Sequence, residues 1–279
     1  MLPVIQIICI AASATSAFGQ ARTPPTGRAE PATVGNLAFA GFMNVAVAAG
    51  LAAGKALLSD EQPVFRTAAK AAAGAGVHFA GKSLAGIGGS WTGITGRLVA
   101  ATGSSMIRNA VVGVPALSCL SLPVGPLWLN SRGCDQARVS VDAVTVIGII
   151  LASQEGRFAA RESITSGALV FRLNDAADAR VPGAWALGGV LTFRATPLQP
   201  EFEAHQIRHE RIHVIQHDLA LLAVSRPSED WLRQKLAIPR PRLLDLDVGL
   251  YAAGGFLLHF TPFDVQPIFE WEARVLDGS

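Results

Sequence analysis

Residues Glu201–Val224 read EFEAHQIRHERIHVIQHDLALLAV. Pro200 precedes them, and the apolar residues recur at helical spacing, so the stretch reads as one long helix. Histidines stand at 205, 209, 213 and 217, four apart and therefore on one helix face. Within that stripe His209-Glu210-Arg211-Ile212-His213 spells H-E-x-x-H. Imidazoles at i and i+4 can pinch one zinc ion, and Glu210 between them can take a proton from zinc-bound water. The expectation is a Zn2+ site with Glu210 as general base.

A catalytic zinc needs a third protein ligand and keeps its fourth position open. His217 is a poor choice. It lies two turns from His209, about 12 Å along the axis. Leu219 occupies the place where the longer metalloprotease pattern has a third histidine. His205 and His217 therefore read as flanking residues. The third ligand should come from a later helix, and Glu270-Trp271-Glu272-Ala273-Arg274, in a helix starting near Pro267, is the best candidate. Glu229, Asp230, Asp245 and Asp247 read as caps and solvated turns.

Two resemblances bear on this site. Glu270–Arg274 resembles the E-x-x-A-[D/N] helix of the Glu-zincins. That resemblance implies Glu270 as the metal ligand, Glu272 as a supporting partner or alternative ligand, and Ala273 as the small residue that lets two helices approach. Arg274 stands where many such peptidases have an Asp that orients a ligating histidine. His209–Gln216, H-E-x-x-H-V-x-Q, is similar to the zinc helix of a broad set of exported or envelope-associated bacterial proteins of uncharacterised function. Ala80-Gly-Lys82, Gly96-Arg97, Ala101 through Asn109-Ala110, Pro123–Pro126 and Thr165–Phe171 are similar to them too. The resemblance covers most of the chain after residue 21. It implies a zincin-like metallopeptidase module and names no substrate.

The rest of the 279 residues are unusually apolar: 50% hydrophobic, 16% charged, 28 glycines and a mean hydropathy of +0.37. Such a chain can fill a core, which excludes a disordered protein. The net charge of +2 offers no general attraction for nucleic acid. Residues 1–21 carry no charge and end in small residues, and read as a secretory signal peptide. A Pro-rich linker follows at 22–33. Residues 34–133 form a Gly/Ala-rich hydrophobic helical region, with nine Lys/Arg against three Asp/Glu from residue 22 to 133. Residues 134–279 hold a strand set plus the metal-binding region, with 14 Lys/Arg and 18 Asp/Glu. Residues 34–58 are long and apolar enough for a membrane span, and a tightly packed helical hairpin with Val64–Leu84 is the other reading. Cys119 and Cys134 form either a disulfide, suited to an oxidising compartment, or two small core residues. The location expected is the periplasm or cell envelope.

The fold class expected is α+β: small-residue-rich N-terminal helices, central antiparallel strands and a C-terminal zincin-like helical part. Val139 through Leu151 reads as a strand continuing into an apolar run, and Ala168–Leu173 and Gly188–Ala195 as strands. Gly188–Ala195 is the expected edge for an extended peptide substrate. Ser228 reads as the N-cap of a separate helix, and Asp247–Phe260 as helical. Tyr251 and His259 are candidate oxyanion donors. Gly76–Ser83 has the Walker A spelling, but an Ala-rich helical stretch leads into it rather than a strand, so no nucleotide is expected. The functional expectation is a zinc metallopeptidase of the cell envelope acting on a peptide or protein. The alternative is a non-catalytic envelope or membrane-associated protein with a structural or vestigial zinc site.

Overall fold

The structure is a computed structural model that describes residues 33–59, 63–89, 91–132, 136–174, 184–193, 200–237, 244–247 and 266–278. The signal-peptide and linker stretches up to residue 32, Cys134, Tyr251 and His259 lie outside the described residues. The protein is α+β. The described residues begin with three long helices: α1 (Val34–Ser59), α2 (Val64–Ile87) and α3 (Thr92–Val112). Small residues explain how α2 and α3 pack. A Cβ added at Gly81 would collide with the backbone of Ala100, and one at Gly103 with the backbone of His78. The two helices are therefore in backbone-to-backbone contact, closer than larger side chains permit. The Walker-like segment Gly76–Ser83 lies wholly inside α2.

Helix α1 packs Ala40, Ala48, Ala52 and Ala56 inward, at multiples of four residues and so on one face, and leaves Leu37, Phe39, Phe42 and Leu57 exposed. Val34–Leu57 is long and apolar enough to cross a membrane, and only 17% of its apolar window is buried.

Two four-stranded sheets follow. The first has the order β1 (Ser121–Val124), β2 (Leu127–Arg132), β3 (Gln136–Asp142), β8 (Leu244–Asp247); β1–β2–β3 is antiparallel and β8 joins β3 in parallel. The second has the order β4 (Gly156–Phe158), β5 (Leu169–Leu173), β7 (Val190–Phe193), β6 (Trp185–Leu187), with β5–β7 parallel and the other pairs antiparallel. Between β4 and β5 lies α5 (Ala160–Ser166).

Several local expectations are corrected. The apolar run after β3 is helix α4 (Ala143–Glu155), not strand. Asp142 caps it, accepting from the Val144 N–H at 3.0 Å, and this N-cap overrides the weak strand preference of Val and Ile. Leu244–Asp247 is strand where a helix was expected from Asp247; residues 248–260 lie outside the described residues. The edge expected at Gly188–Ala195 is not one over its described residues: Gly188 and Gly189 form a turn, and β7 is paired on both sides. Ser228 is not an N-cap. The long helix α6 (Pro200–Ala220) passes through a π-helical turn, Leu221–Ser225, directly into α7 (Arg226–Lys235). The Ser228 hydroxyl donates back to the Val224 carbonyl at 2.8 Å instead.

Helix α6 runs through the interior. Ile212 and Ile215 pack with Ala85 of α2, Ala100 of α3, and Ala273 and Leu276 of α8 (Gln266–Asp277), while Val214 joins the second sheet's core around Val170, Leu191 and Phe193. Three of its polar residues, Arg211, His217 and Asp218, are buried too, and each meets a different element. Asp218 is ion-paired with Arg97 of α3 at 2.7 Å. His217 meets Asp142 at 2.7 Å. Arg211 donates to the Ala85 carbonyl at 2.9 Å.

Candidate metal centre

The centre forms where α6 crosses α8. His209 and His213, one turn apart on α6, bring their Nε2 atoms to 3.2 Å. Glu270 in α8 places one carboxylate oxygen 3.2 Å from His209 Nε2 and the other 3.2 Å from His213 Nε2. Ala273 makes this approach feasible. It is fully buried against Ile212 and Ile215, where a larger side chain would push α8 away.

A tetrahedral ion with metal–ligand bonds of about 2.0–2.1 Å separates its ligands by roughly 3.3 Å. The Nε2–Nε2 separation of 3.2 Å matches one edge of such a tetrahedron, and each Nε2 has its own Glu270 oxygen at the same distance. Among the described residues, His209, His213 and Glu270 form a group that can hold a metal ion. His213 keeps only 4% of its side chain exposed, whereas His209 keeps 18% and Glu270 27%. The group is therefore fixed on one side and open to solvent on the other, as a site with an accessible fourth position requires.

The outer nitrogens are held as well. His209 Nδ1 lies 2.7 Å from Asp277 Oδ2, and His213 Nδ1 lies 2.8 Å from Gln216 Oε1. Both partners accept at these atoms, so each Nδ1 carries its proton and each Nε2 is left to face the centre. Asp277 supplies the orienting carboxylate that Arg274 cannot. It sits seven residues after Glu270, two turns along α8 and on the same face. Sequence reading passed it over because its place in the resembling pattern is three residues earlier.

The electrostatics call for positive charge. Burial alone would lower the pKa of His209, but the hydrogen bonds to Asp277 and Glu270, with Glu210 nearby, outweigh it and raise the pKa to about 10. Burial would raise that of Glu270; the hydrogen bonds from both histidines overcome this and hold its carboxyl well below the usual range. Glu210 shifts the other way. Burial, helped by the neighbouring charges of Glu270 and Asp277, pushes its carboxyl up against the pull of His213 and His209.

Glu272 is not part of the three-ligand group. It faces the other side, taking hydrogen bonds from Lys82, Asn44 and Gln216. These residues line the polar end of an otherwise apolar cavity of about 150 Å³ between α1, α6 and α8. His217 is paired with Asp142 and takes no part in the centre. His205 Nε2 lies 3.9 Å from Asp277 Oδ2, at the margin. Cys119 is half-buried, and its expected disulfide partner Cys134 is outside the described residues. No family model, curated protein or solved structure matches this chain.

Proposed function

We propose that this protein is a zinc metallopeptidase of the cell envelope. The observation that carries the reading is the convergence of His209, His213 and Glu270, with the two Nε2 atoms 3.2 Å apart and a Glu270 oxygen 3.2 Å from each, and Glu210 next to the first histidine on the same helix. The donor set, two imidazoles and one carboxylate, suits zinc in a catalytic rather than a closed structural site. Zinc bound there supplies a Lewis acid for a peptide carbonyl and makes a nucleophile available near neutral pH.

The chain's own residues do the rest. Asp277 and Gln216 hold the two imidazoles in the tautomer that exposes Nε2. Glu210 takes the proton of the attacking water and delivers it to the leaving amine. The long, largely unburied apolar helix α1 supports an exported, membrane-facing location.

The test is metal analysis of the purified protein together with hydrolysis of a peptide library. One zinc per chain is expected in the wild type and none after His209→Ala. Glu210→Gln should retain zinc and lose at least 100-fold in hydrolysis, the lower scale of a general base's contribution being about that size. Zinc retention with full hydrolysis in Glu210→Gln removes the catalytic role of Glu210. Zinc binding by a wild type that cleaves nothing favours the non-catalytic reading.

A further inference from the structure

The Walker-like lysine has a place in the fold that a phosphate loop does not explain. Lys82 lies in the middle of α2 and is 1% exposed. A buried ammonium is tolerated only when its charge and its donors are met. Here they are met in full: Lys82 Nζ lies 2.7 and 2.8 Å from the two Glu272 oxygens and 2.9 Å from Asn44 Oδ1. Gly81 beside it keeps α2 against the α3 backbone.

The contacts continue toward the metal centre. Glu272 accepts from Gln216 Nε2 at 2.7 Å, and Gln216 Oε1 accepts from His213 Nδ1 at 2.8 Å. The direction of this chain is set at the lysine end. A carboxylate paired with an ammonium only accepts, so Gln216 must turn its NH2 group toward it. The amide oxygen then faces His213, which must answer with Nδ1–H. Nε2, the atom that faces His209 and Glu270, is then the nitrogen left to bind a metal. A reversed Gln216 would set two acceptors against each other at 2.7 Å.

We infer that Lys82 is a positioning residue for the metal centre. Acting through Glu272 and Gln216, it locks His213 in the tautomer whose Nε2 is free to bind metal. The lock is a property of the metal-free chain, and its use rests on the metal reading above.

The test uses the whole protein, metal-free, over a range of pH. Long-range 1H–15N correlation reports which nitrogen of His213 carries the proton. The wild type should show a proton on Nδ1 in every molecule. Lys82→Met leaves the Glu272 charge unpaired and is expected to fold poorly. The working variant is therefore Lys82→Met with Glu272→Gln, which removes both charges at nearly constant volume. In it Gln216 can turn either way, so a population of His213 with the proton on Nε2 should appear. Zinc affinity, measured by competition with a chelator dye, should fall at least 10-fold, the lower scale for loss of an orienting partner. A folded double variant with His213 still wholly Nδ1–H and zinc affinity within twofold of wild type overturns the inference. If the wild type binds no zinc but the tautomer shifts in the variant, the metal reading fails and the lock stands.

Discussion

Asp277 shows how one residue can matter more than a motif suggests. It accepts from His209 at 2.7 Å and is fully buried at its side chain. Orienting partners of this kind are worth about 10–100-fold in metal affinity. Asp277→Asn should therefore weaken zinc binding by at least 10-fold in a chelator competition, while Arg274→Ala leaves it unchanged. Equal effects of the two substitutions would show that Arg274, in the position the family pattern gives to Asp, shares the orienting role. The two histidines were legible in the sequence, because helical spacing puts them on one face, and Glu270 was legible through the resemblance of its segment to a known metal-binding helix. Asp277 was legible only as one acid among many. Nothing local marks which carboxylate a distant histidine will find.

At the scale of elements, the helices with strong local signals were readable and the elements decided by context were not. The spacing in 201–224 reads as helix, and α6 is one. The run Ala143–Leu151 is rich in Val and Ile and reads as strand, yet Asp142 turns it into α4. Asp142 also receives the Thr145 hydroxyl and meets His217. Burial would raise its pKa, but His217 and these hydrogen bonds lower it below the usual value of about 3.9. A depressed carboxylate contributes stability that is present above the unfolded pKa and lost as pH falls through the folded one. Asp142→Asn should thus cost on the order of 2 kcal/mol at neutral pH, the scale of a charge-assisted hydrogen bond lost from a buried site. It should also flatten the loss of stability below about pH 4. Urea unfolding at pH 7 and pH 3 checks both: an equal difference between variant and wild type at the two pH values would show that Asp142 does not carry the acid dependence.

For the whole molecule, the metal group joins α6 to α8 across 61 residues of sequence, from His209 to Glu270. An ion bound there favours the folded state by mass action. Removing it with a chelator should lower the thermal midpoint of the wild type by several degrees and leave His209→Ala unmoved. A midpoint that does not respond to chelator or to added zinc would argue that no ion links the two helices. The buried pairs Arg97–Asp218, Lys82–Glu272 and Arg226–Asp247 join distant parts in the same way.

The sequence by itself determined the α+β class, the apolar front of the chain and the helix that carries His209 and His213. These follow from composition and from periods that a short stretch contains. Only the tertiary structure decided that the polar helix α6 runs through the interior rather than over the surface, that Asp277 takes the place Arg274 cannot fill, and that Lys82 points at Glu272 rather than at a phosphate. The physical reason is common to all three. A polar side chain is at home in the interior only beside its partner, and those partners lie tens to hundreds of residues away, where no local pattern records them.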